Sequence, residues 1–252
     1  MKRSNVVPPD HDWIEPDWPA PPNVRSLITT RHGGVSTGNH ATLNLGWRAG
    51  DDATAVAANR ATLRTRVPTE PAWLRQVHGT RVVCADDVSE EVEADASVAR
   101  HPGTVCAVMI ADCLPVLLCD THGTVVGVAH AGWRGLSAGV VENTIAAMNV
   151  PAADVLAYLG PAIGPSAFEV GADVRDAFLR IDDAAAAGFT PHANGKWLAD
   201  LFLLARQRLA RCGVRQISGG GLCTYRDSTR FYSYRRDHLT GRMAALVWLA
   251  DK

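Results

Sequence analysis

The sequence lacks most of the features that mark a specialised class of protein. Aromatic residues make up only 6% of its 252 positions, and no apolar run reaches the ~20 residues of a membrane span. The longest candidate, Val105 to Leu118, is interrupted by Asp112 and Pro115. Neither charge sign dominates, because 25 Lys+Arg stand against 26 Asp+Glu for a formal net charge of −1. Proteins that coat nucleic acid need a basic face and usually a basic total, so that class is set aside. The six cysteines form no CxxC pair and are too sparse for a disulfide framework, as expected of thiols in a reducing compartment. The opening MKRSNVVPPDHDWIEPDWPAPP follows its two basic residues with Pro and Asp, not with an apolar segment, so no secretory signal is read there. These absences lead to the expectation of a cytoplasmic protein with neither a membrane nor a nucleic acid as partner.

What is present belongs to an ordinary folded chain. Hydrophobic residues make up 47% and charged residues 20%, far from the composition of disorder. No repeat, low-complexity tract or Ser/Gly linker divides the chain. A Pro-rich lead-in over residues 1–23 followed by one catalytic domain over 24–252 is therefore the expected organisation.

The pattern predicts strands at 24–30, 73–78, 81–84, 104–110, 115–119, 125–130, 155–159, 230–234 and 242–249. Helices are predicted from a cap at Asp51 and Asp52 to about Arg66, after the Gly turn that follows His130, over 172–180 and over 198–211. In the last of these, Leu198, Leu201, Phe202, Ala205 and Leu209 recur on one face. Several strands are apolar at every position, which predicts cover on both faces and hence sheet packed on sheet with outer helices.

Three ligand-type residues fall at predicted strand ends: His78 after LRQV, Cys113 in IADCLP, and His130 after VVGVA. One Cys and two His suit a zinc ion whose fourth position stays open, as catalytic zinc requires. Their wide separation excludes a zinc finger or ribbon, whose ligands come in close pairs. The same residues fit a Cys–His nucleophile pair assisted by Asp112, and the spacing leaves both readings open. A multicopper oxidase needs many His ligands, typically as HxH, whereas the nine His here include no HxH.

The blocks TTRHGGVSTG (29–38), NLG (44–46), QVHG (76–79), ADA (94–96), ADCLPVLL (111–118), HAGWRG (130–135), LGPAIGPSAFEVG (159–171) and FYSYRRDHLTGRMAALVWL (231–249) resemble a known family in order. That family carries the labels polyphenol oxidase or laccase domain protein and zinc-dependent purine nucleoside phosphorylase, and it includes the bacterial peptidoglycan editing factor. The resemblance implies an α+β fold, a single-domain four-layer αββα sandwich with mixed sheets. It also implies zinc held by His78, Cys113 and His130. The activities it implies are phosphorolysis of adenosine, inosine, guanosine and methylthioadenosine, with adenosine deamination beside it.

On that reading, nucleoside and phosphate are the small-molecule partners. Phosphate is expected between the metal and Arg134 or Arg31, in the GWRGLS turn with Trp133 and the RHGGVSTG loop with Ser36, while Asp112 assists proton transfer. Trp133, Phe168 and Tyr232 are the aromatic candidates for stacking the purine. The alternative is an amidase-like hydrolase that edits wrong amino acids from cell-wall precursors, with Cys113 as nucleophile and His130 as base. Copper is possible at a single Cys/His₂ site in vitro, since it outranks zinc in intrinsic affinity. His32 and His238 depart from the family pattern and receive no role. Monomer and dimer both stay open.

Overall fold

The computed structural model describes residues 12–89 and 91–251. Its strands are β1 (Val24–Ile28), β2 (Leu74–Arg75), β3 (Val82–Cys84), β4 (Val92–Glu93), β5 (Ala96–Ala99), β6 (Val105–Ile110), β7 (Leu114–Asp120), β8 (Val126–Ala131), β9 (Val155–Leu159), β10 (Glu169–Val170), β11 (Phe189–Pro191), β12 (Trp197–Ala199), β13 (Gln216–Gly219) and β14 (Met243–Leu249). Its helices are α1 (Ala53–Arg64), α2 (Trp133–Ala138), α3 (Val140–Met148), α4 (Ala172–Leu179), α5 (Leu201–Cys212) and α6 (Tyr234–Asp237).

Two sheets dominate. One is six-stranded and mixed, in the order β13-β9-β7-β8-β5-β3; the other is antiparallel, in the order β1-β14-β6. The all-apolar strands are apolar because each is covered twice. Along β7, Leu114, Val116 and Leu118 face the layer formed by α2 to α5, while Leu117 and Cys119 face the other sheet. Along β14, Met243, Ala245 and Val247 point between the sheets, while Ala244 and Leu246 join Leu63 of α1 on the outer side. The result is the expected four layers: α1, the three-stranded sheet, the six-stranded sheet and the remaining large helices.

Local chemistry explains where expectation and structure part. Asp52 caps α1 by accepting from the Ala55 N–H at 2.9 Å, whereas Asp51 turns inward to accept from Ser36 and Asn44. The helix predicted from residue 198 begins at Leu201, because Asp200 caps it through the Leu203 N–H at 3.0 Å and leaves Trp197–Ala199 as β12. No strand forms over 230–234. Ser233 caps α6, and the Arg236 guanidinium donates to the carbonyls of Thr224, Tyr225 and Phe231, folding the segment into a turn despite its aromatic content. The strand predicted over 73–78 is confined to β2 because the chain then turns at residues 76–79.

The lead-in is not loose over its described part. Ile14 pairs with Ile28, the Trp18 indole N–H donates to Ser26 Oγ at 3.2 Å, and its ring meets Tyr158 edge-on at 6.2 Å. This part closes one margin of the space between the sheets; residues 1–11 lie outside the described residues. The fully buried Leu117 tests that shared core. Leu117→Ala is expected to cost about 2–5 kcal/mol in urea unfolding with an unchanged m value, and a loss under ~1 kcal/mol would show that the sheets are not packed as described.

Candidate metal centre and cavity

Three turns bring His78, Cys113 and His130 together. His130 is the penultimate residue of β8 and is buried, Cys113 immediately precedes β7 and is half-buried, and His78 lies exposed in the turn after β2. One donor atom from each falls within 4.8 Å of the others, and Cys113 Sγ is 3.6 Å from His78 Nε2. The two imidazole rings meet edge-on with centroids 4.9 Å apart. Among the described residues this is the one group of three or more His, Cys, Asp or Glu side chains able to hold an ion. A multicopper centre therefore has no second set of ligands among them.

The backbone at this point is bent to deliver the ligands. His78 has φ 61° and Asp112 has φ 94°, both in the left-handed region that side chains avoid unless their surroundings impose it. For His78 the constraint is Asp95, a fully buried carboxylate that accepts from the backbone N–H groups of Val77, His78 and Gly79 at 3.1, 2.9 and 2.7 Å. The same carboxylate accepts from His130 Nδ1 at 2.8 Å, which leaves Nε2 as the donor free to bind a metal. The Gln76 amide clamps both backbone groups of Met109 on β6 and fixes the turn from the other side. Gly132 has to be glycine, because a Cβ there would lie 2.8 Å from Cys113 Sγ and 3.0 Å from His78 Cδ2.

Electrostatics match the geometry. Burial opposes ionisation of the Cys113 thiol, but the adjacent His130 and His78 rings outweigh it and bring the thiol down to about 6. Burial likewise opposes charge on His130, yet Cys113 and Asp95 raise it to about 9. Desolvation is also the largest influence on Asp95, but its hydrogen bonds from His130 and the 77–79 turn hold it below the ordinary carboxylate range.

The ligands open onto a cavity of about 540 Å³, large enough for a nucleoside-sized molecule. Leu74, Met109, Ile163, Phe168 and Trp47 supply apolar wall, and five arginines reach the lining: Arg48, Arg75, Arg134, Arg235 and Arg242. Arg48 pairs with Glu91 at 2.6 Å and Arg75 with Glu93 at 2.7 Å. The other three have no carboxylate within ion-pair distance among the described residues.

The expected site residues divide accordingly. His78, Cys113, His130, Asp112, Arg134 and Phe168 share the cavity. Arg31, Ser36, Trp133 and Tyr232 do not line it. Arg31 donates to the carbonyls of Ala41 and Ser228 and covers the Tyr232 ring, and Ser36 is buried between Asp51 and Asn59. Their loop is scaffold: it feeds the Asp51–His40 network, in which His40 Nε2 meets the carbonyl of Ala49, a cavity-wall residue. Trp133 packs towards the helix layer, and Tyr232 is fully buried with its hydroxyl donating to His40 O at 2.5 Å. Asp112 touches the cavity, but its carboxylate is already committed to Thr224 Oγ1 at 2.6 Å and the Arg235 N–H at 2.7 Å.

Asp95, Gln76, Trp47, Tyr234, Arg235 and Arg242 are site residues that the sequence alone did not single out. Asp95 lies inside the ADA block, and the only local signal for it is an acid between two alanines at the entry to a buried strand.

Fold and site thus define an αββα sandwich with a cavity whose wall carries one His/Cys/His group that could hold a metal ion. Residues 25–250 match the family described as multi-copper polyphenol oxidoreductase laccase, and the chain belongs to that family. A Pseudomonas aeruginosa relative named purine nucleoside phosphorylase PA4543 is 54% identical over 240 residues, 95% of this chain and 99% of that protein. The Escherichia coli protein named purine nucleoside phosphorylase YfiH is 52% identical over 239 residues, 94% of this chain and 98% of that one. Among solved structures, Neisseria meningitidis NMB0706 superimposes with a TM-score of 0.94 at 52% identity, covering 95% of this chain and all (100%) of that one. YlmD from Geobacillus stearothermophilus does so with a TM-score of 0.86 at 28% identity, covering 95% and 96% of the two chains.

Because Asp95 orients both histidines, Asp95→Ala is expected to weaken metal retention on the order of 10–100-fold in a competition titration against a chromophoric chelator. Retention at the wild-type level would show that the carboxylate does not set the ligand geometry.

Proposed function

We propose that the protein is a zinc-dependent purine nucleoside phosphorylase, transferring the sugar of adenosine, inosine, guanosine or methylthioadenosine from the base to phosphate. The observation that carries this reading is the union of a Cys/His₂ donor set with a nucleoside-sized cavity whose lining includes Arg134, Arg235 and Arg242, which have no carboxylate partner among the described residues. The nearly full-length relatives named purine nucleoside phosphorylase support it.

The donor set fits zinc. A tetrahedral ion with Zn–S of about 2.3 Å and Zn–N of about 2.05 Å separates sulfur from nitrogen by about 3.6 Å, and Cys113 Sγ and His78 Nε2 stand 3.6 Å apart. His78, Cys113 and His130 would hold the ion, which when bound supplies Lewis-acid chemistry and an open coordination position. Copper would be a mis-metallated form, since the chain offers one soft site and no further copper ligands among the described residues.

The chain's own residues bind and orient the reactants. Leu74, Met109, Phe168 and Trp47 take the flat faces of the base and exclude water, while the arginines hold the anion near the sugar carbon that changes partners. Asp112 is a positioning residue, because both carboxylate oxygens are engaged in holding Thr224 and Arg235. Deamination of adenosine is a side activity of the same pocket. Six free thiols fit a reducing cytoplasm.

A second reading has one observation in its favour. Cys113 brought down to about 6 beside His130 raised to about 9 is a thiolate–imidazolium pair, the arrangement of a nucleophilic amide hydrolase that could edit amino acids from cell-wall precursors. Zinc-loaded protein given adenosine separates the two. Phosphorolysis predicts adenine and sugar 1-phosphate in equal amounts, release that depends on added phosphate, and loss of turnover by at least about 100-fold in Cys113→Ala. Base release indifferent to phosphate would overturn the phosphorylase reading, and amide hydrolysis by metal-free protein would establish the second.

A further inference from the structure

The ligand cavity has a neighbour. A second hollow of about 460 Å³ adjoins it, and Trp47 and Glu91 line both. Arg60 of α1 lines the second hollow and not the first, yet its guanidinium reaches the cavity wall from behind. Its Cζ lies 5.2 Å from the centroid of the Trp47 ring and 4.0 Å from that of Trp73, both within cation–π reach. Arg60 Nη2 also meets Met109 Sδ, another atom of a cavity-wall residue, at 4.0 Å, and Nε donates to the Leu45 carbonyl at 2.9 Å.

The two indoles are held differently. Trp73 is buried, shares a core with Leu45 and Leu63, and donates its N–H to Glu70 at 2.7 Å, so it is a fixed abutment. Trp47 is 45% exposed. Its indole N–H makes no hydrogen bond among the described residues, and the cation–π contact from Arg60 is what the ring has. The backbone around it is tied down, because the Leu45 N–H donates to the Arg242 carbonyl at 3.0 Å and His40 Nε2 meets the Ala49 carbonyl at 2.9 Å. The freedom left is rotation of the Trp47 side chain, and Arg60 opposes it. Burial pushes Arg60 down to about 10 while Glu70 and Glu91 draw it up, so the guanidinium is charged at neutral pH.

We propose that Arg60 is a positioning residue that holds Trp47 as the partition between the two hollows, and that this partition limits the size of base the cavity accepts. An indole whose inner face rests on a cation offers its outer face to a flat purine. The space behind it is comparable with the cavity of about 540 Å³ in front, and it is closed to a substrate only while the ring stays in place. The substrate class is therefore purine nucleosides with small exocyclic groups, and a benzyl-sized substituent aimed at this wall is excluded. That the ligand is a nucleoside rests on the phosphorylase reading; the partition itself does not.

The test gives zinc-loaded protein adenosine and three adenosines carrying a benzyl-sized group at N6, at C2 or at C8, with binding followed by calorimetry and kcat/KM for base release measured in parallel. Wild-type protein is expected to disfavour each bulky analogue by about tenfold or more relative to adenosine. Trp47→Ala, and to a lesser degree Arg60→Met, should narrow that ratio on the order of tenfold for at least one analogue. Arg60→Lys keeps the charge but loses the flat guanidinium, and should recover part of the discrimination. Damage to the fold alone would weaken all four ligands together and leave the ratios in place. Ratios unchanged in both Trp47→Ala and Arg60→Met, or a wild type that takes the analogues as readily as adenosine, overturn the partition. Shifted binding ratios with no phosphorolysis by any form keep the partition and remove the phosphorylase reading; phosphate-dependent base release with unshifted ratios does the reverse.

Discussion

The site depends on one buried carboxylate. Asp95 has no contact with solvent, and its oxygens accept from three successive backbone N–H groups and one imidazole. An unpaired carboxylate in that position would cost several kcal/mol, so the turn after β2 has to deliver those N–H groups and His130 has to keep its proton on Nδ1. Both histidines of the candidate metal group are therefore set by a single negative charge. The left-handed backbone of His78 is the conformational cost of that arrangement. The Asp95 carbonyl adds a further link, accepting from the His130 N–H at 2.7 Å and tying the entry of β5 to the end of β8.

The layers around this point make it rigid. β7 and β8 are covered on one side by helices and on the other by the β1-β14-β6 sheet, so Cys113 and His130 sit at the ends of strands with no freedom to slide. His78 comes from a turn and is the exposed member of the trio. Trp47 and Tyr234, both exposed, line the pocket beside the trio.

What the sequence made legible follows from how much of the physics is local. β6, β7, β8 and β14 could be read because burial on both faces writes a continuous apolar run, and α1 because Asp52 is a helix cap in sequence as well as in space. The segment 230–234 could not, because aromatic and β-branched preference there is overridden by contacts from the Arg236 guanidinium to three carbonyls. His78, Cys113 and His130 stood out as ligand types at strand ends. Asp95 did not, since its role comes from a turn 16–18 residues away and a histidine 35 residues away. Arg31 and Ser36 misled for the converse reason: a glycine loop carrying Arg and Ser looks like an anion cradle until its partners are seen to be its own backbone and Asp51.

On the proposed reading, one zinc ion is held by His78, Cys113 and His130 in a pocket that takes a nucleoside and an anion. The most direct measurement is a crystal structure of metal-replete protein with anomalous data on both sides of the zinc edge. A single zinc peak bonded to Cys113 Sγ and to Nε2 of both histidines, with His130 Nδ1 still on Asp95, is the predicted result. A peak elsewhere, several copper sites, or a trio that stays metal-free when zinc is supplied would contradict it.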